Sequence, residues 1–149
     1  MRKIKVAQIG MNGYSHGREI FDTLVTMSDV FEIAGYVLPE NERERMPNKV
    51  RVFSKYPELS LAEVLEDPTI EAVIIETDEI YLTKYAQMAA EAGKHIHMEK
   101  PGGISLLDFE RLIATVKKQG PVPRVSRVNP RHAHHQHNIT RAVLGPSFV

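Results

Sequence analysis

Short apolar runs, spaced by stretches long enough to hold a helix, restrict what this chain can fold into more than any other feature. Ile4–Ile9, Phe31–Leu38, Ala72–Ile75 and His95–Met98 all have strand length. Ala72-Val73-Ile74-Ile75 is apolar at every position, the pattern of a strand buried on both faces. Helical signals fill the gaps. Ser15 suits the N-cap of a helix whose apolar face runs Ile20, Phe21, Leu24 and Val25. Ser60 caps a shorter helix carrying Leu61, Val64 and Leu65, stopped by Asp67-Pro68. Tyr81–Ala92 ends at Gly93, a favourable residue just past a helix, and Ser105–Lys118 is amphipathic and closed by Gly120. Val50–Phe53 reads as a further, half-polar strand.

Strands alternating with helices at this spacing predict an α/β fold, a Rossmann-type doubly wound parallel sheet. The expected sheet has five strands over residues 4–118 in the order 3-2-1-4-5, with a sixth strand doubtful. Ile4, Val6, Ile9, Val73, Ile74 and Ile75 should form its buried centre. Right-handed crossovers place the C-terminal ends of all strands on one edge, where ligands bind. Three loops fall on that edge: Gly10–Gly17, Thr77–Ile80 and Glu99–Gly103.

Composition excludes several functions. No run of about 18 apolar residues exists, so a membrane-spanning helix is excluded. Met1–Val6 passes straight from charge into alternation, without a secretory leader's apolar stretch, and the expected location is the cytoplasm. The chain has no cysteine, which rules out disulfides, thiolate zinc sites and a cysteine nucleophile. Formal net charge is zero, but the zero conceals a segregation. Residues 121–149 hold four arginines, four of the seven histidines, four of the nine prolines and no acid. That composition sets them apart from the domain expected over 1–120.

In the first loop, Gly10 turns the chain directly after a strand, and the helix that follows offers free N–H groups and the positive end of its dipole to a phosphate. The sequence Gly10-Met11-Asn12-Gly13-Tyr14-Ser15-His16-Gly17 departs from G-x-G-x-x-G. Asn12 stands in the second glycine's place and Ser15 in the third's. Asn tolerates a left-handed turn and Ser is small. The motif alone fits a phosphate loop and a plain glycine turn equally well.

The third loop is more specific. Glu91-Ala92-Gly93-Lys94-His95-Ile96-His97-Met98-Glu99-Lys100-Pro101, with the preceding Asp67–Thr77 strand segment, resembles the glucose–fructose oxidoreductase, inositol dehydrogenase and MocA family (Gfo/Idh/MocA). The resemblance covers residues 3 to about 120. It implies an amino-terminal domain that binds NAD or NADP through Gly10, Met11, Asn12, Gly13, Tyr14, Ser15, Thr77, Glu99, Lys100 and Pro101. It also implies that Lys100 reaches substrate and nicotinamide as the catalytic lysine, and that the Lys100–Pro101 bond is cis. An ammonium there can hydrogen-bond a substrate hydroxyl and stabilise charge on its oxygen during hydride transfer. The implied partners are a dinucleotide cofactor and a small hydroxyl-bearing substrate, a sugar or polyol, with no metal, nucleic acid or membrane. A non-enzymatic Rossmann-type nucleotide-binding or regulatory module is the alternative.

Three features depart from the family. At the end of the second strand, where an acid or an arginine-containing variant reads the adenosine ribose, stands Leu38, and Glu40 could substitute only if the turn is displaced, so the choice between NAD and NADP stays open. After the apolar run, Thr77-Asp78-Glu79 replaces the usual Thr-Pro-Asn; the two acids read as solvated or helix-capping groups. His16 fits the pocket and the helix start equally well. Beyond Gly120 the family continues for about another domain, carrying acid–base groups, whereas this sequence becomes Arg-, His- and Pro-rich. An irregular, possibly frameshifted or disordered tail over 121–149 is expected, with a truncated and inactive enzyme as its consequence. Reading the encoding DNA in the other frames tests this. His132, His134, His135 and His137 suit adventitious nickel or zinc rather than a built site. With the sixth strand malformed, the fifth would carry an unpaired edge, so self-association is expected.

Overall fold

The computed structural model describes residues 2–119 and the backbone of 125–127. Strand β1 (Ile4–Ile9) leads to α1 (Gly17–Thr26), β2 (Phe31–Val37) and a single helical turn, α2 (Glu42–Arg45). A 3₁₀ turn (Val50–Phe53) and α3 (Leu61–Glu66) precede β3 (Ala72–Ile75), α4 (Glu79–Glu91), β4 (His95–Met98), α5 (Leu106–Lys118) and β5 (Val125–Arg127). All neighbouring strands pair in parallel, in the order β2-β1-β3-β4-β5. β1 lies between β2 and β3, so the chain reverses its direction of progress at β1, and a crevice opens there at the C-terminal edge.

Side chains alternate between the two faces of the sheet. Ala7, Ile9, Val73 and Ile75 pack with Leu82, Tyr85, Ala86 and Leu112 of α4 and α5. Val6, Ala72 and Ile74 pack with Ile20 and Leu24 of α1. Ile74 and Ile75 are wholly buried, each contributing roughly 1.5–3 kcal/mol relative to exposure. Ile4 is only half-buried, and Val25 of α1 points outward. Ser60 forms a full capping box on α3: its hydroxyl accepts from Glu63 N–H, and the Glu63 carboxylate accepts from Ser60 N–H. Ser105 caps α5 with its hydroxyl alone, which accepts from Asp108 N–H.

Val50–Phe53 is not a strand. Val50 and Phe53 are buried while Arg51 is exposed, a three-residue spacing that a helical turn satisfies and an alternating strand does not. Both side chains enter a third apolar cluster with Phe21 and Tyr36, where the Tyr36 and Phe53 rings stack at 4.4 Å. The edge of β2 is instead closed by residues 57–59: Tyr36 N–H donates to Pro57 O (3.1 Å), and Leu59 N–H donates to Tyr36 O (2.8 Å).

The unpaired edge expected on His95–Met98 is also absent. Ile96, His97 and Met98 pair with Val125, Ser126 and Arg127, so the doubtful sixth strand exists as three residues. The rest of the expected irregular tail, with His132, His134, His135 and His137, lies outside the described residues. Among the described residues no helix is long and apolar enough to cross a membrane.

The lysine of the Ala-Gly-Lys-His sequence has a structural task. Gly93 ends α4 at φ +74°, and the buried Lys94 then donates its ammonium to Asp67 O (2.6 Å) and Ile70 O (2.9 Å). This pins the turn that feeds β3 to the start of β4.

Candidate functional site: the C-terminal edge of the sheet

The loop after β1 is shaped by contact with the loop after β3. Gly10 has φ +88°, and a Cβ there would stand 2.7 Å from Thr77 N and Thr77 Cβ. Only glycine allows both the conformation and that approach. Asn12, in the place usually held by glycine, folds its side chain back: its Oδ1 accepts from Tyr14 N–H (2.9 Å) and its Nδ2 donates to Thr77 O (3.4 Å). The amide thus builds an Asx turn and ties the two loops together. Helix α1 begins at Gly17, one residue later than a cap at Ser15 would place it, because the Ser15 hydroxyl accepts from Gly17 N–H (3.2 Å) and His16 takes the cap position.

The N–H groups of Asn12, Gly13, Ser15 and His16 have no acceptor among the described residues. Four free amides at a helix start suit an anion such as a dinucleotide pyrophosphate. At Gly13 a Cβ would meet only the Met46 sulfur, at 3.9 Å. Tyr14 is fully exposed beside it. Lys49 supplies a cation by donating to Asn12 O (3.1 Å) and Ser15 O (3.4 Å).

The turn after β2 departs furthest from expectation. Glu40 and Asn41 are both left-handed, with φ of 57° and 55°, a conformation uncommon outside glycine. Glu40 is drawn away to α4, where its Oε1 accepts from Lys84 Nζ (2.8 Å) and Tyr85 OH (2.6 Å). The Lys84 ammonium holds the Glu40 carboxyl below its usual range. Glu42 swings the other way, into the crevice. It is wholly buried, and its Oε2 accepts from Met11 N–H at 3.0 Å. Burial pushes its pKa up to about 7, against the opposing Thr77 hydroxyl and Met11 N–H. Asp78 holds the cap position of α4 without a capping bond and pairs with Arg45 instead.

Beneath the loop lies a second buried acid. Glu76 follows β3 directly, is fully buried, and neither carboxylate oxygen has a hydrogen-bond partner among the described residues. Burial, and then the like charge of Glu99, push its pKa up to about 8, with the nearby Ser15 hydroxyl offsetting only part. It is therefore a neutral acid at pH 7. His97, on β4, is buried, neither ring nitrogen has a hydrogen-bond partner among the described residues, and burial lowers its pKa to about 4.

The loop after β4 completes the edge. The buried Glu99 carboxylate accepts from Lys100 N–H (3.0 Å) and lies 3.8 Å from His16 Nδ1. Lys100 is exposed, and the Lys100–Pro101 bond is cis. Gly10–Ser15, Thr77 and Glu99–Pro101 thus share one edge, around the crevice between β1 and β3. The sequence reading missed Glu42, Lys49 and Glu76. Only Glu76 left a trace in sequence, as a carboxylate following four apolar residues with no polar break.

Residues 4–126 match the family model described as "Oxidoreductase family, NAD-binding Rossmann fold" (GFO_IDH_MocA). The chain belongs to this family. Its relatives include the myo-inositol 2-dehydrogenase of Thermotoga maritima, 28% identical over 116 residues, which span 78% of this chain and 33% of that enzyme. The NAD(+)-dependent scyllo-inositol 2-dehydrogenase of Bacillus subtilis is 37% identical over 86 residues, 56% of this chain and 25% of that enzyme. The chain therefore spans a third or less of the length of these relatives. A 3-ketoreductase of Actinomadura kijaniata, solved with NADP and TDP-benzene, shares the fold with a TM-score of 0.65 at 21% identity, over 84% of this chain and 37% of that one. This Gfo/Idh/MocA domain keeps the parallel Rossmann architecture of its family.

Proposed function

We propose that this domain binds NAD or NADP with the pyrophosphate at the start of α1 and the nicotinamide end towards Lys100. The complete enzyme then moves a hydride between the cofactor and a hydroxyl-bearing substrate such as a sugar or polyol. The observation that carries the reading is the set of free N–H groups from Asn12 to His16, beside Thr77 at the point where the sheet reverses. An anionic bridge placed there meets four donors and the positive end of α1 without displacing a backbone bond.

Bound NAD(P)⁺ supplies the hydride acceptor. Gly10 lets the two loops approach, Asn12 and Lys49 fix the phosphate loop, and Lys100 presents an exposed ammonium. In that place the ammonium donates a hydrogen bond to the substrate oxygen and stabilises the charge it gathers as its proton leaves. The inositol dehydrogenases among the relatives favour a polyol-like substrate, and the lack of a membrane-crossing helix among the described residues fits a cytoplasmic location.

Calorimetric titration with NAD⁺, NADP⁺ and their reduced forms tests the reading. Gly13→Asp adds bulk and negative charge at the phosphates in a position with space for a side chain. It should weaken binding about tenfold or more, equivalent to about 1.4 kcal/mol. Lys100→Ala should change affinity by no more than about twofold, because its contribution is concentrated in the reacting state. A parent that binds none of the four, or a Gly13→Asp variant that binds as the parent does, refutes the assignment.

A further inference from the structure

We propose that Glu76 governs the pH range in which the domain holds its dinucleotide. Protonated, it leaves the floor beneath the phosphate loop uncharged; ionised, it places a negative charge under the pyrophosphate and weakens binding. This rests on the dinucleotide reading above and adds the residue through which that site responds to pH.

The sheet sets the position of this acid. Side chains alternate along a strand, so Glu76, next after Ile75, falls on the face of Ala72 and Ile74, where α1 packs. There it lies against the first residue of that helix: a Cβ on Gly17 would stand 3.0 Å from Glu76 Cβ and 3.2 Å from its Cγ. The loop with free N–H groups, Asn12 to His16, leads directly into Gly17, which puts the carboxyl beneath the anion's seat. Glu76 is wholly buried, and neither oxygen has a hydrogen-bond partner among the described residues. Its charge, once formed, is neither hydrated nor paired, and it acts through protein rather than through water.

The groups around Glu76 do not cancel that charge. Glu99, one step beyond the pairing of Ile75 with Met98, and Glu19 of α1 oppose its ionisation. The Ser15 hydroxyl and Lys49 favour it, but burial outweighs them and the pKa stands at about 8. Lys49 is already engaged in the loop, on Asn12 O and Ser15 O. Gln8, which shares the approach to Gly17, is a neutral amide, and burial keeps His97, on the same face, uncharged. His16 Nδ1 lies 3.8 Å from Glu99 Oε2 and its ring is half-exposed. A bound pyrophosphate adds negative charge above Glu76 and tightens its hold on the proton. The bound state then carries more proton than the free state, so binding takes up protons and affinity falls as pH rises.

The test titrates NADH and NADPH calorimetrically into the parent and into Glu76→Gln at pH 8 and pH 9, with thermal unfolding at both to confirm the fold. Neither dinucleotide titrates a group of its own there, and Glu42, at about 7, has lost about nine-tenths of its proton by pH 8. With a hold on the Glu76 proton about tenfold stronger in the bound state, the parent's affinity should fall about threefold from pH 8 to pH 9. Titration at pH 8.5 in buffers of different ionisation enthalpy should show uptake of about half a proton per dinucleotide. Glu76→Gln should lose most of the slope and most of the uptake. A parent whose affinity is unchanged over this range and which takes up no proton overturns the inference whether or not the variant folds. So does a folded Glu76→Gln that keeps the parent's slope and uptake, because another group would then carry them. A parent that binds no dinucleotide anywhere from pH 6 to 9 refutes the functional reading itself, and this inference with it.

Discussion

Glu76→Gln replaces a buried neutral acid by a group of nearly the same shape that cannot ionise. Three buried groups shape stability near neutral pH, and their signs differ. Glu76 is raised from 4.5 to about 8 and Glu42 from 4.5 to about 7. In each window the folded chain holds a proton that the unfolded chain has lost, so stability falls as pH rises. His97 is lowered from 6.5 to about 4. Between those values the unfolded chain holds the extra proton, and stability rises with pH. His97 therefore opposes the acids below pH 6.5, and Glu42, at about 7, is half-titrated at pH 7 and loses the rest of its proton above it. From pH 7 to 8 Glu76 carries most of the loss, roughly 1 kcal/mol, and the remainder of Glu42 brings the total to about 1.4 kcal/mol per pH unit. In a domain of this size that corresponds to a fall in Tm of roughly 5 °C. Thermal or urea unfolding at half-unit steps from pH 5 to 9 measures it. Glu76→Gln should flatten the parent's slope between pH 7 and 8 and gain on the parent as pH rises. Its fixed offset at pH 5 should be about 1–3 kcal/mol, the cost of a buried amide without partners. Parallel curves for parent and variant across pH 6.5–8 would refute the reasoning, since Glu76 would then titrate alike in both states.

Gly10→Ala should destabilise the domain by about 3 kcal/mol and remove dinucleotide binding, because the added methyl meets Thr77 at 2.7 Å in a left-handed backbone; denaturant unfolding and calorimetry measure the two effects. Self-association should depend on the exposed Ile104, Leu106 and Leu107 at the head of α5 rather than on an unpaired strand. Light scattering should show Leu106→Lys with Leu107→Lys shifting the protein towards monomer, and equal association of variant and parent would count against this.

The strands that run through the centre of the sheet were legible because burial on both faces leaves no choice of residue: Ala72–Ile75 could be read as a strand from composition alone. The Ser60 cap was legible because Ser60 and Glu63 solve a local problem with local residues, whereas the cap read at Ser15 falls instead on His16. Val50–Phe53 misled because two valines flanking an arginine mimic alternation. Its conformation is set by Phe21 and Tyr36, distant in sequence, which draw Val50 and Phe53 to the same side. Glycine spacing located the tight turn after β1 but not its architecture, which depends on Asn12 bonding across to Thr77. Glu42 could not be found by counting from β2. Its position depends on two left-handed residues that carry no glycine to announce them.

The anchorage of Lys94 makes it a natural reporter of local opening. The residue is 4% accessible and its ammonium is fastened to two carbonyls, so amine-directed reagents should label it last among the described lysines, and only as often as the turn before β3 lets go. Burial also lowers its pKa, so the amine gives up its proton more readily than its surface counterparts do and is held back by access rather than by protonation. Lys94 is thus a fastener, and its labelling rate is a clock for the joint it closes.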